Sequence, residues 1–413
     1  MAAKMMNQAV PIENRDGGRV LRGVAVLWVL VLFIGAAFRV LADCSAFGLP
    51  FNDLGSTTFC AEIAEAYFSG LTNGTTPTTY APSNNVTRQQ MAAFVTRTLD
   101  QSLLRGSRRA ALNQWWTSTP HYDQASLGLA TVGSGPKLLA SDGADLWVAN
   151  FTDKTVSRIR ASDGKSLGTW TGANGAFGVL VAMGKVFVAG AGGTLYMIDP
   201  TQAPGAVTNV ATLVSVPVGI AFDGNNIWTS NEGAPGSVSI VSPGSTTPWS
   251  VNSVSTGFGT LVGIVFDGTH IWVTDQGGTP GKLIKLDSGG AILQQVTMGN
   301  GPSYPAFDGH NIWVPNQGDN SLMVVRASDG SILKTFSAGN GNQNGLNNPN
   351  QADFDGQRIL VTNQNGGLSL FKATDLSIIG NPATPGVTIP FGVCSDGTNF
   401  WVSFSSSSAI GRF

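Results

Sequence analysis

The phrase Asp308-Gly309-His310-Asn311-Ile312-Trp313-Val314 constrains this chain more than any other stretch. It recurs with Asp142, Asp223, Asp267 and Asp396 in the leading position and with Trp147, Trp228, Trp272 and Trp401 near its end. Two weaker copies begin at Met183 and Asp355 and carry Phe187 and Leu360 where the others carry tryptophan. The seven copies are spaced 40 to 47 residues apart. A chain that repeats at this period repeats one structural unit, and no single unit can bury its own apolar face.

Each unit reads as four short strands. In the fourth, Val262–Phe266 is an apolar run, Asp267–His270 a turn and Ile271–Thr274 a second strand. A Gly- and Pro-rich loop follows, then Lys282–Leu286, a second turn at Asp287–Gly290, and Ala291–Val296. Asp and Gly tolerate the backbone of a tight reversal. The inner strands are apolar on both faces, as a sheet packed between two other sheets must be. A period near 40 built from four strands is that of a β-propeller with one blade per repeat, so the expectation is an all-β, seven-bladed propeller. The tryptophans fall mid-strand, where large aromatics suit β-packing, and are read as blade-to-blade core rather than a stacking platform. The last unit ends at Phe413 without a fourth strand. Residues 125–133 resemble the fourth strand of the first unit, Lys165–Gly172, and are expected to complete the last blade and close the ring.

The remainder of the chain has a different texture. Residues 1–42 read as an export signal: Arg15, Arg19 and Arg22 precede an apolar run from Gly23 to Phe38, and Val40-Leu41-Ala42 supplies a cleavage site. The run is short for a membrane span of roughly 20 residues. Residues 43–98 form a small helical module, 99–120 a helical linker and 121–413 the propeller. Only 12% of residues are charged and 53 are glycine, a composition that suits a turn-rich extracellular protein. With a net charge of −2 and no basic stretch, nucleic acid is excluded as a partner. Export permits disulfides, and Cys44 and Cys60, flanking one small module, are expected to pair. Cys394 aligns with Ala221 and Val265 on an innermost strand and is expected to be a buried thiol.

The small module resembles the S-layer homology family. Its landmarks occur in order: Phe51-Asn52-Asp53-Leu54, a helix led by Phe59, the turn Gly70-Leu71-Thr72-Asn73-Gly74, Tyr80-Ala81-Pro82, and Thr87-Arg88-Gln89-Gln90 opening a second helix that Thr87 and Gln90 can cap. The resemblance implies non-covalent association with bacterial cell-wall polysaccharide, with the family's arginine at Arg88. The sequence departs from the family at Gln90, where a glutamate is usual, and at Phe59, where a tryptophan is usual. One motif is found here, where three usually act together. The repeats over 125–413 resemble secreted bacterial propellers of the YVTN and NHL kind, which implies a fold and a capacity to bind, and fold alone does not set function.

No catalytic constellation is legible. HExxH, G-x-S-x-G, metal-ligand spacing and calcium loops are missing from the sequence, so no catalytic residue, metal or cofactor is expected. The better candidates are polar pairs in the loops between second and third strands: Asp275 and Gln276, Asn316 and Gln317 with Asp319, and Asn363 and Gln364. The Asn-rich connection from Gly339 to Asn350 can lean over them. Amides donate and accept at once, which suits sugar hydroxyls or peptide backbone. The expectation is an exported cell-surface binding protein, not an enzyme. Its partners would be cell-wall polysaccharide, a surface glycan or a protein, with no membrane contact after signal cleavage. A propeller lyase would need a base on the ligand face, whereas His270 and His310 fall in turns at the opposite one. A self-associating surface-layer component is the other alternative.

Overall fold

A computed structural model describes residues 49–54, 63, 72, 74–86, 91 and 128–413, apart from 215, 339–343 and 385. The export signal, the Cys44–Cys60 pair, Arg88, most of both module helices and the linker lie outside the described residues. The chain divides into two compact units, 1–102 and 103–413.

In the first unit the Phe51-Asn-Asp-Leu54 phrase does two jobs. Phe51 and Leu54 pack with Ile63, against which Leu49 and Tyr80 lean. Asp53 turns outward and accepts hydrogen bonds from the backbone N–H of Tyr80 (2.8 and 3.1 Å) and Ala81 (2.7 Å). Those donors hold its carboxyl below the usual range. The carboxylate thus clasps the two extended pieces of the motif, across 27 residues.

The second unit is a seven-bladed β-propeller of seven antiparallel four-stranded sheets. Blades one to six span residues 136–171, 176–212, 216–254, 261–297, 306–337 and 349–380. The seventh takes three strands from 390–412 and its outer strand, Gly128–Thr131, from the start of the unit. Gly128 pairs with Arg412 and Thr131 with Ala409, so hydrogen bonds join the two ends of the ring as the repeat predicts. Burial grades outward across each sheet. The second strand of the first blade, Asp145–Asn150, is buried throughout, whereas the outer strand of the fifth, Ile332–Ser337, buries only Phe336.

The repeated Asp and Trp are joined. The carboxylate of each Asp spends Oδ1 on the backbone N–H groups of its own turn and Oδ2 on the tryptophan five residues further on. The indole N–H donates over 3.0 Å to Asp142, 2.6 Å to Asp223, 2.7 Å to Asp267, 2.7 Å to Asp308 and 2.9 Å to Asp396. The five tryptophans are essentially inaccessible to water, which places them in the core. In the sixth blade, where Leu360 replaces tryptophan, Arg358 takes over and donates to Asp355 (2.8 Å).

Neighbouring blades are stapled near the axis by a hydroxyl on the second strand. Gly219 N–H donates to Ser230 Oγ (3.1 Å), which donates to the Val262 carbonyl of the next blade (2.6 Å). Gly263 and Thr274 repeat the relay onto Ser303 (2.8 and 2.9 Å), and Gln351 and Thr362 onto Phe391 (3.1 and 2.8 Å). Gly392 and Ser403 carry it onto Lys137, across the seam between the seventh and first blades. A Cβ at Gly219 or Gly263 would meet backbone of the following blade at 2.8 and 2.5 Å, so close approach demands glycine there.

Deleting residues 128–131 should leave a bare strand edge and an open seam. The melting temperature should fall by at least about 10 °C, a loss of several kcal/mol for a domain of this size; calorimetry of the deletion variant measures it.

Cys394 is buried and unpaired, and burial followed by the neighbouring Asp353 charge pushes its thiol well up. Asp353 is half-buried. Desolvation raises its carboxyl to about 7, against backbone hydrogen bonds from Ser395 and Phe354 that pull it down. The folded protein therefore holds a proton that the unfolded chain, titrating near pH 4, releases. The stability contributed is full below the unfolded value and is lost as pH rises through about 7. Asp353→Asn, neutral throughout, should flatten this loss, and thermal melts at about pH 5 and pH 8 should differ less than in the parent.

Candidate functional site

The start of each innermost strand pairs with the end of the second: Pro136 with Asn150, Ala176 with Gly190, Pro217 with Asn231, Leu261 with Asp275, Pro349 with Asn363 and Pro390 with Phe404. The loops between second and third strands therefore share one rim with the connections that enter each blade. The turns holding His270 and His310 lie at the other rim.

At the entry rim the axis is closed by side chains from five blades. Leu138, Val262 and Tyr304 are buried together, with Phe177 and Phe391 packed on them. Phe177 meets Phe391 edge-on at 5.7 Å and Tyr304 at 6.3 Å between ring centroids. Phe151, more than a third exposed, extends the group outward and meets Phe177 at 6.2 Å. Tyr304 reaches the axis because it stands where four other blades have Gly178, Gly219, Gly263 and Gly392. Burial, with the Glu232 carboxylate adding to it, keeps its phenol protonated far above the ordinary range.

Lys137 stands in this collar. Its Nζ is 4.2 Å from the Phe391 ring centroid, 5.8 Å from Phe177 and 6.0 Å from Phe151. Desolvation lowers its pKa. Among the described residues its ammonium has no carboxylate partner and no hydrogen-bond acceptor. Cation–π attraction offsets part of the lost hydration, about 0.5–2 kcal/mol.

The polar pairs foreseen from the sequence separate into two sets. Asp275, Asn316 and Asn363 are buried at the end of the second strand. Asp275 accepts from the N–H groups of Gly259, Thr260 and Gly277, each at 2.8 Å. Asn316 donates to Ser321 Oγ (3.1 Å) and Asn363 to Ser369 Oγ (3.1 Å), holding the hairpin as Asn150 and Asn231 do in other blades. Asp319 is exposed and accepts from Asn300 N–H (2.7 Å).

Gln276, Gln317 and Gln364 form the second set. They are half-buried, not fully exposed, and each spends its Nε2 inward. Gln276 donates to the Pro302 carbonyl (3.1 Å), whereas Gln317 (2.7 Å) and Gln364 (2.8 Å) converge on Oδ1 of Asn350. Asn350, itself buried, donates to the Phe391 carbonyl (2.8 Å). The three amide oxygens have no partner among the described residues. The described part of the Asn-rich connection lies over this row: Asn348 N–H donates to Asn320 and Asn347 N–H to Asn363.

The axial collar was missed from the sequence, although a signal for it exists. The dipeptides Phe177-Gly178, Val218-Gly219, Val262-Gly263 and Phe391-Gly392 recur at the head of the innermost strand. Aligning the repeats a few residues upstream of the Asp-Gly turn puts Lys137-Leu138 in the same place.

Residues 50–92 match the S-layer homology domain, the region whose landmarks resemble that family. No curated protein sequence matches the chain. Hydrazine synthase of Kuenenia stuttgartiensis superposes with a TM-score of 0.57 at 14% identity, over 69% of this chain and 96% of that one. The WD40 β-propeller domain of Doa1 superposes with a TM-score of 0.57 at 11% identity, over 70% and 95%. At such identity these likenesses concern the fold alone. The S-layer homology domain points to cell-wall association at the cell surface. Among the described residues no helix is long and apolar enough to cross a membrane.

Replacing both Gln317 and Gln364 by alanine leaves the buried Asn350 oxygen with Ser303 alone. The double variant should lose about 1–3 kcal/mol of stability in urea unfolding, the cost of two hydrogen bonds at about 0.5–1.5 kcal/mol each.

Proposed function

We propose that this is an exported bacterial cell-surface binding protein. The S-layer homology module associates with cell-wall polysaccharide, and the propeller holds a carboxylate-bearing ligand over Lys137 at the mouth of its axis. The observation that carries the propeller half is the unpaired Lys137 ammonium inside an aromatic collar. A half-buried ammonium without a counter-ion is stabilised by an incoming carboxylate, and the rings of Phe151, Phe177 and Phe391 offer apolar faces beside it. The outward oxygens of Gln276, Gln317 and Gln364 add acceptors for hydroxyl or amide donors. The position of His270 and His310 at the opposite rim supports binding rather than lyase chemistry.

Two measurements test the halves separately. Retention of full-length protein on purified bacterial walls should drop several-fold in Arg88→Ala and vanish when 44–98 is deleted. Equal retention of all three proteins would rule out the module as an anchor. On a glycan array, a carboxylated glycan bound by the parent should be lost in Lys137→Met with the melting curve unchanged. Identical array profiles for the two proteins would rule out the axial mouth.

A further inference from the structure

At the opposite rim, between the fourth and fifth blades, lies a cavity of about 420 Å³. Its walls carry four basic side chains: His270 and Lys285 from the fourth blade, His310 and Arg326 from the fifth. The Lys285 side chain is about nine-tenths buried. Its Nζ donates to the Ala327 carbonyl of the next blade (3.1 Å) and lies 5.1 Å from the Trp272 ring centroid. Among the described residues it has no carboxylate partner, and one of its three hydrogens is spent.

The repeat itself shows what is missing. Trp272 pairs across the sheet with Lys285, as Trp147 pairs with Arg158 in the first blade. Arg158 likewise lies over its tryptophan, at 4.9 Å, and donates to a carbonyl of the next blade, that of Pro200 (3.0 Å). Arg158 also has an internal counter-ion, Asp145, at 2.7 Å. Asp145 stands two residues before Trp147, and the residue two before Trp272 is His270. The fourth blade has kept the cation and replaced its carboxylate with an imidazole.

Asp267, the carboxylate in the cavity wall, does not fill the gap. Oδ1 accepts from Thr269 N–H (2.8 Å) and His270 N–H (2.6 Å), and Oδ2 from the Trp272 indole (2.7 Å), with His270 Nδ1 3.9 Å away. Arg326 is bridged to Asp329 at 3.1 Å in an exposed pair, which water screens.

We propose that this cavity is a second ligand site, which binds an oxyanion group in the place that Asp145 fills in the first blade. The group is a carboxylate, phosphate or sulfate on a small molecule or sugar. Lys285 supplies the buried charge, and His270, His310 and Arg326 supply ring and guanidinium donors around the mouth. Charge-assisted hydrogen bonds to a desolvated ammonium are the strong kind. The site is independent of the axial collar, which lies at the other rim.

Calorimetric titration of the full chain with sodium glucuronate, inorganic phosphate and sodium sulfate tests it. At least one should bind with a dissociation constant of about 1 mM or tighter. Glucuronate alone marks a carboxylated sugar as the ligand; phosphate or sulfate binding as tightly marks the bare oxyanion. His270→Asp restores the internal counter-ion of the first blade and should weaken binding at least tenfold while the protein stays folded. Lys285→Met should do the same, and repeating the glucuronate titration of both variants in a Lys137→Met background reports this site apart from the axial collar. Heats of dilution alone for all three anions, or undiminished binding in His270→Asp, would overturn the proposal.

Discussion

Seven sheets can surround one axis only if their innermost strands come within backbone contact of one another, and every polar group exposed by that approach must find a partner. A buried peptide group left unpaired costs more than a typical hydrogen bond returns. The hydroxyl on the second strand resolves this at four interfaces. Ser230, Thr274, Thr362 and Ser403 each accept from their own blade and donate into the next. At the equivalent position the fifth blade has Pro315, and there the inner strands of the fifth and sixth blades bond directly, Tyr304 N–H to the Asn350 carbonyl (3.0 Å) and Ala352 N–H to the Tyr304 carbonyl (3.1 Å). Tyr304, standing at the position of glycine in four other blades, adds its ring to the axial cluster with Leu138 and Val262.

The fold was legible because its signal repeats. One Asp-Gly turn is a weak cue; six, with a seventh copy at Met183-Gly184, at a period near 40 give blade count, strand order and the strand that must be borrowed to close the ring. The local physics behind that cue was less visible. Asp142 and its counterparts read as turn formers, whereas the structure shows the same carboxylate also fixing the buried indole. That bond spans five residues in sequence, but it needs the tryptophan rotamer to be seen. Arg358 taking the role of tryptophan opposite Asp355 could not be inferred from propensity, since it depends on a side chain reaching back three residues to a carboxylate oxygen, Oδ2, that the backbone of the turn does not reach.

The candidate site was legible only in part, for a related reason. Asn and Asp at the end of a strand serve a hairpin or a ligand equally well. Asn316 and Asn363 spend their amides on Ser321 and Ser369, partners that occur at regular spacing but are indistinguishable by composition from ordinary loop serines. Gln317 and Gln364 meet only because Asn350 is carried between them by the sixth blade. Lys137, Phe177 and Phe391 lie some 40 to 250 residues apart in sequence and become neighbours solely through ring closure. Sites made at an axis are assembled by topology, and no local pattern reports them.

The closure has a mechanical meaning as well. The outermost strand of the seventh blade is also the first strand of the propeller, so any pull transmitted along the chain from residues upstream arrives there. That strand is held along one edge by the four pairs from Gly128–Arg412 to Thr131–Ala409, together with the bond from Val132 N–H to the Ser408 carbonyl (3.0 Å). Load therefore falls on the one strand whose release opens the ring, which makes this seam the first place to give when the chain is pulled from upstream.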